Sequence, residues 1–142
     1  LMIPFLMKRY GIKNVMLIAM FAWVLRFGLL GLGNPGDRVW MFVLSMIIYG
    51  VAFDFFNISG SLYVDKATEP ALRSSAQGLF MLMTNGIGAT IGSLAAQAVV
   101  TSNTINGVTN WSACWYAFAG YALLVGVSFA LLFKPKKNMV KA

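Results

Sequence analysis

The chain has 142 residues, 59% of them hydrophobic and only 11% charged, with no histidine and a formal net charge of +7. Soluble domains carry about 25% charged residues, so this composition, with a mean hydropathy of +0.75, excludes an ordinary soluble domain. The basic residues fall in short clusters between long apolar stretches, which suits orientation in a bilayer better than nucleic-acid binding, and the short alternating segments of a membrane barrel are absent. The fold class is therefore an all-α membrane protein.

Residues 1–7 form an apolar phrase too short to cross a membrane, without the charged leader of a signal peptide. We read it as the end of a helix cut from a longer protein. Four full spans follow, at about residues 14–33, 39–64, 74–100 and 111–133, each near the roughly 20 residues that a helix needs to cross the bilayer. Gly33-Asn34-Pro35-Gly36-Asp37 is a tight turn between the first two. Thr68-Glu69-Pro70 has the form of a helix start, with Pro70 at or near the first helical position. Residues 101–110 are a polar loop rich in Asn, Thr and Ser, and Trp40 and Trp111 stand at span ends, where interfacial aromatics are common.

Lys8, Arg9, Lys13, Lys66, Arg73, Lys134, Lys136, Lys137 and Lys141 collect on one side of this arrangement, and the loops of the other side hold only Arg38. The positive-inside rule then predicts a multi-pass protein with a cytoplasmic C-terminus.

Asp54 is the acid in the wrong solvent. It lies in the second span, where an ionised carboxylate is costly unless paired, hydrated or protonated, and such a residue reads as functional by default. At about 100° per residue, Tyr49, Phe53 and Phe56 share one sector of that helix, and Asp54, Asn57 and Ser61 share a neighbouring one. An aromatic stripe beside a polar one suits a ligand with a flat face and hydrogen-bonding edges, although packing against neighbouring helices explains aromatics equally, Phe56 above all. Arg26, in the first span, is the other intramembrane charge. It can snorkel outward, pair with Asp54 or face a water-filled cavity, and a structural or gating role and a substrate role are both open to it. On the third span Gln77, Thr84 and Asn85 are weaker cavity-lining candidates, with interhelical hydrogen bonding as the plainer role, and Gly88, Gly92 and Ala96 form a small-residue row that lets another helix approach.

Catalytic chemistry finds no footing. Gly86-Ile87-Gly88 lies inside a helix rather than after a strand, which removes a nucleotide-binding reading. No triad can be built without histidine, and the lone Cys114 supports neither a disulfide within the chain nor a metal site. We expect no enzyme activity, no metal and no cofactor.

Two phrases carry a resemblance. Lys8-Arg9-Tyr10-Gly11-Ile12-Lys13 resembles the D-R-x-G-R-R loop signature of the major facilitator superfamily in its degenerate C-terminal copy, with Lys8 in place of the acid and Ile12 in place of an arginine. The stretches 49–61, 64–66 and 73–86, continuing through Trp111 and Phe118-Ala119-Gly120-Tyr121, are similar to the bacterial nucleoside:proton symporters of that superfamily, over nearly the whole chain. The resemblance implies a C-terminal part of a twelve-helix transporter, from the end of helix eight through helix twelve, in the bacterial inner membrane. It implies nucleoside uptake by proton symport through alternating access, with the missing N-terminal helices completing the site. Tyr49 and Phe53 match aromatics that line the nucleoside site. Asp54 matches a buried acid suited to proton coupling or to an ion pair within the protein, and Asn57 is a weaker polar candidate. The partners implied are nucleoside, protons and the lipid bilayer, with no nucleic acid. Other readings are a proton-coupled transporter of another small polar solute such as a sugar, or a small four-helix accessory membrane subunit, against which the cut first helix argues.

Overall fold

The computed structural model describes residues 2–34 and 36–134, so Leu1, Pro35, Lys136, Lys137 and Lys141 of the sequence reading lie outside the described residues. It contains α1 (Met2–Leu32), α2 (Val39–Ala67), α3 (Arg73–Met81), α4 (Ala89–Ser102) and α5 (Trp111–Leu132). A 3-10 turn over Pro70–Leu72 leads into α3, and a π-helical segment over Leu82–Gly88 joins α3 to α4. The third span is thus one helical rod, Pro70–Ser102. Four helical stretches among the described residues are long and apolar enough to cross a membrane. In lipid no other open arrangement satisfies the backbone, which is why such apolar runs become helices.

The short apolar phrase at the start and the first span are two helical pieces of α1, as expected, and they part at Gly11, whose φ 79° and ψ 160° are not helical. A side chain rarely tolerates that backbone conformation, so glycine permits the bend. Packing then fixes it. Ile3 and Met7 before the break, and Ile12, Val15 and Met16 after it, belong to one buried cluster, covered by Phe55, Phe56, Leu62 and Tyr63 of α2 and by Phe129 and Phe133.

α1 is the centre of the bundle, with α2 on one side and α5 on the other, both antiparallel to it. Apolar burial drives little helix association in lipid, so close packing and polar links must hold the helices together. On α2, Ser45, Ala52 and Ser59 recur every seven residues and are fully buried, a line of small side chains on the side that α1 covers. The hydroxyls of Ser45 and Ser59 have no hydrogen-bond partner among the described residues, so they serve here by being small. Between α1 and α5, the Lys13 ammonium donates to the Ala130 carbonyl at 2.6 Å. That carbonyl belongs to the last turn of α5, where acceptors are free and the helix dipole favours a cation.

The third span meets α2 near the Thr68 loop. Ser61 Oγ donates to Gln77 Oε1 at 2.9 Å, and Gln77 Nε2 donates to the Ser61 carbonyl at 2.7 Å. Gly60 makes this approach possible, since a Cβ there would lie 2.6 Å from the Phe80 ring. Among the described residues the span packs on α2 mainly through α3 and on α5 mainly through α4. The expected small-residue seam at Gly88, Gly92 and Ala96 is not a helix contact among the described residues: Gly88 and Gly92 are exposed and Ala96 only half-buried. Helix approach uses the Ser45–Ala52–Ser59 line instead.

The termini follow local chemistry. Asn34 Oδ1 accepts from the backbone N–H groups of Gly36 and Arg38, closing the turn before α2. Pro70 stands at the first position of its 3-10 turn, and Asn110 caps α5 by accepting from the Ala113 N–H. The 101–110 segment departs from the polar loop expected. α4 runs through Ser102, and Thr104–Ile105 pairs antiparallel with Val108–Thr109. Asn106 and Gly107 turn the hairpin with φ 52° and 78°, the positive values that a two-residue turn of this hand demands.

Candidate functional site

Tyr49, Phe53, Asp54 and Asn57 all lie on α2, and helical rotation distributes them around it. Tyr49 sits about 60° from the buried small-residue line, Phe53 about 100° from it, and Asp54 nearly opposite. Tyr49 can therefore touch α1 while leaving part of its ring uncovered. Its ring centroid is 5.7 Å from that of Phe53, at an interplanar angle of 43°. The two rings remain 36% and 41% exposed, an open aromatic surface in the middle of a membrane helix.

Asp54 stands on the open side of the bundle rather than inside it. Among the described residues the ion pair found joins Arg73 to Asp65 at 3.6 Å, at the Thr68 loop, and leaves Asp54 unpaired. Asn57 turns its amide back to the Phe53 carbonyl at 2.9 Å, which occupies one donor and leaves its carbonyl oxygen free. Phe56, the third aromatic of the sequence sector, packs with Phe55 against the core cluster and leaves the site.

The expected option of an Arg26–Asp54 pair is not realised among the described residues. Arg26 lies about 9 Å from the Asn34 end of α1 and Asp54 about 22 Å from the same end of α2, so their levels differ by about 13 Å. Arg26 instead places its guanidinium carbon 4.1 Å from the Tyr49 ring centroid, 5.1 Å from that of Trp23 and 5.7 Å from that of Phe27. Trp23 meets Tyr49 edge-on at 5.5 Å. Phe27 extends the cluster to Trp115 and Phe118 of α5.

The third-span candidates separate. Gln77 is fully engaged with Ser61 and fastens the third span to α2, the plainer of its two expected roles. Thr84 bonds to the Phe80 carbonyl at 2.8 Å, within the same rod. Asn85 is exposed in the π-helical segment, a type of helix distortion frequent at functional sites. Two shallow surface grooves include none of Tyr49, Phe53, Asp54 and Asn57. One is lined by Met20, Val125, Ser128 and their neighbours, and the other lies at the hairpin end around Phe42 and Trp115. Among the described residues no cluster suited to a metal ion occurs.

The aromatic cage around Arg26 was missed in the sequence. Its signal was available, because Trp23, Arg26 and Phe27 stand at i, i+3 and i+4 and so share a helix face. What the sequence does not show is that Tyr49 arrives from the next helix to complete the cage.

Residues 1–138 match the model of the family described as Nucleoside H+ symporter. The chain belongs to that family. It is 51% identical over 137 residues to the nucleoside permease NupG of Escherichia coli (strain K12), covering 96% of this chain and 33% of that protein. The xanthosine permease of the same organism is 50% identical over 135 residues, covering 94% of this chain and 32% of its own length. A crystal structure of the nucleoside transporter NupG superposes with a TM-score of 0.83 at 50% identity, covering 93% of this chain and 33% of that one. A crystal structure of an aspartate-to-alanine mutant of the same transporter gives 0.88, also at 50% identity, covering 94% and 33%. The chain thus spans about a third of the length of the curated relatives it matches. These matches make it a multi-pass membrane protein with the helical fold of this symporter family, whose named relatives are permeases rather than enzymes.

Proposed function

We propose that this chain is the C-terminal part of a twelve-helix nucleoside:proton symporter of the bacterial inner membrane, with the Thr68 loop and the C-terminus on the cytoplasmic side. The observation that carries the reading is the open face of α2. The Tyr49–Phe53 ring pair, 5.7 Å apart, adjoins a carboxylate on a surface that the other described residues leave partly open. Family membership and the nucleoside-permease relatives support the substrate class.

The mechanism follows from this face. A nucleobase is flat, so it gains by stacking on or against Tyr49 and Phe53, while the free carbonyl oxygen of Asn57 offers an edge acceptor. The helices that the family's longer members carry outside this stretch supply the opposite wall. Asp54 is an acid one residue from a ligand-facing ring but on an adjoining face. It therefore takes up and releases the proton rather than holding the base. As access alternates around a site near the membrane midplane, the carboxyl loads a proton from one side and loses it to the other. Asn85, in the π-helical segment, is the remaining polar candidate for the cavity wall.

Uptake of radiolabelled uridine into vesicles carrying the full-length transporter tests the reading. Accumulation should require an inward proton gradient and be competed by unlabelled nucleosides. Uptake indifferent to the gradient would sink the symport reading, and competition by sugars alone would sink the substrate class.

A further inference from the structure

We infer that Arg26 is a positioning residue for substrate: it sets the orientation of the Tyr49 ring so that the ring's uncovered surface faces the nucleobase. The inference rests on the assignment of Tyr49 to the nucleoside site. A guanidinium inside a membrane helix is costly and requires compensation. Here that compensation is aromatic. The Arg26 carbon lies 4.1 Å from the Tyr49 centroid, with Trp23 and Phe27 on the same cation, and its Nε is buried with no partner among the described residues. The acids Asp37, Asp54, Asp65 and Glu69 form no ion pair with it. The charge of Arg26 is thus directed at rings, and Tyr49 is the nearest of them.

The geometry leaves Tyr49 little freedom. Arg26 approaches the ring at a distance suited to cation–π attraction, and Trp23 meets it edge-on at 79°. A ring held in one rotamer before the ligand arrives loses less entropy on binding, which is how preorganisation raises affinity without a new contact. Arg26 itself comes from α1, and of the rings around it that of Tyr49 on α2 is the nearest, at 4.1 Å. Its effect on the nucleoside therefore passes through Tyr49.

Uridine dissociation constants of the purified full-length transporter test this in a two-by-two set: parent, Arg26→Met, Tyr49→Leu and the double variant. Arg26→Met should weaken uridine binding by about tenfold when Tyr49 is present, and by less than about twofold in the Tyr49→Leu background. Equal weakening in both backgrounds would overturn the inference, since Arg26 would then act elsewhere, for instance on a carboxylate from another part of the transporter. No weakening by Arg26→Met, with Tyr49→Leu impaired, would overturn the positioning role and leave the nucleoside face standing. An unimpaired Tyr49→Leu would overturn both. If Arg26→Met does not accumulate, Arg26→Lys decides. A cation kept over the ring should hold affinity within about threefold of the parent, whereas a loss as large as that of Tyr49→Leu contradicts the inference.

Discussion

Ala52 and Asp54 are two residues apart on α2, yet they lie on nearly opposite sides of the helix and obey different rules. The Ala52 side, with Ser45 and Ser59, is fully buried against α1 and made of the smallest side chains available. The Asp54 side is uncovered, and the edge between the two carries Tyr49 and Phe53. One helix thus has a side that builds the bundle and a side left open, the one we propose for nucleoside and proton. The difference explains why apolar character alone is a poor guide within a membrane: small residues mark the seam with α1, while aromatic rings stand both in the packed core, as Phe55 and Phe56 do, and on the open face, as Phe53 does.

Substitutions on the two sides should fail in different ways. The largest effect is expected from Asp54→Asn, which removes the carboxyl proposed to carry the proton and should abolish gradient-driven uridine accumulation while the protein still folds and binds uridine. Next comes Ala52→Leu. Overpacking a filled seam costs about 1–3 kcal/mol, so thermal unfolding in detergent should shift down and transport fall with the amount of folded protein. Retained stability there would deny that α1 packs closely on this side. Phe53→Ala should raise the uridine dissociation constant about tenfold with no matching loss of stability, and an unaltered constant would return Phe53 to simple packing. Smallest is Gln77→Leu. Losing the paired bonds to Ser61 should cost about 1 kcal/mol of stability and leave uridine affinity unchanged, and a large change in affinity would restore Gln77 to the cavity wall.

Much of the fold was legible because membrane helices announce themselves by length and apolarity, and because Pro70, Asn34 and Asn110 sit where helix ends and turns need them. The hairpin was equally legible and was overlooked. Asn106-Gly107 is a strong hairpin signal, hidden by the polar composition around it. The packing seam was harder, since Ser45, Ala52 and Ser59 repeat at seven rather than four. The Gly88–Gly92–Ala96 row drew the eye with a pattern that packing does not use among the described residues. For the candidate site, helical rotation correctly kept Tyr49 with Phe53 and set Asp54 aside. It could not separate Phe56, because a few tens of degrees decide whether a ring meets the core or the open face. Arg26 shows the limit most clearly. Its sequence offered a carboxylate as partner, and the axial offset of the two helices gave it a tyrosine.

Proton movement driven by nucleoside tests the division of labour on α2 most directly. Vesicles containing the full-length transporter and a trapped pH-sensitive dye would be given uridine with no gradient imposed. The account predicts that the parent carries protons inward with uridine, and that Asp54→Asn binds uridine but carries none. Uridine-driven proton entry at the parental rate in Asp54→Asn would contradict it.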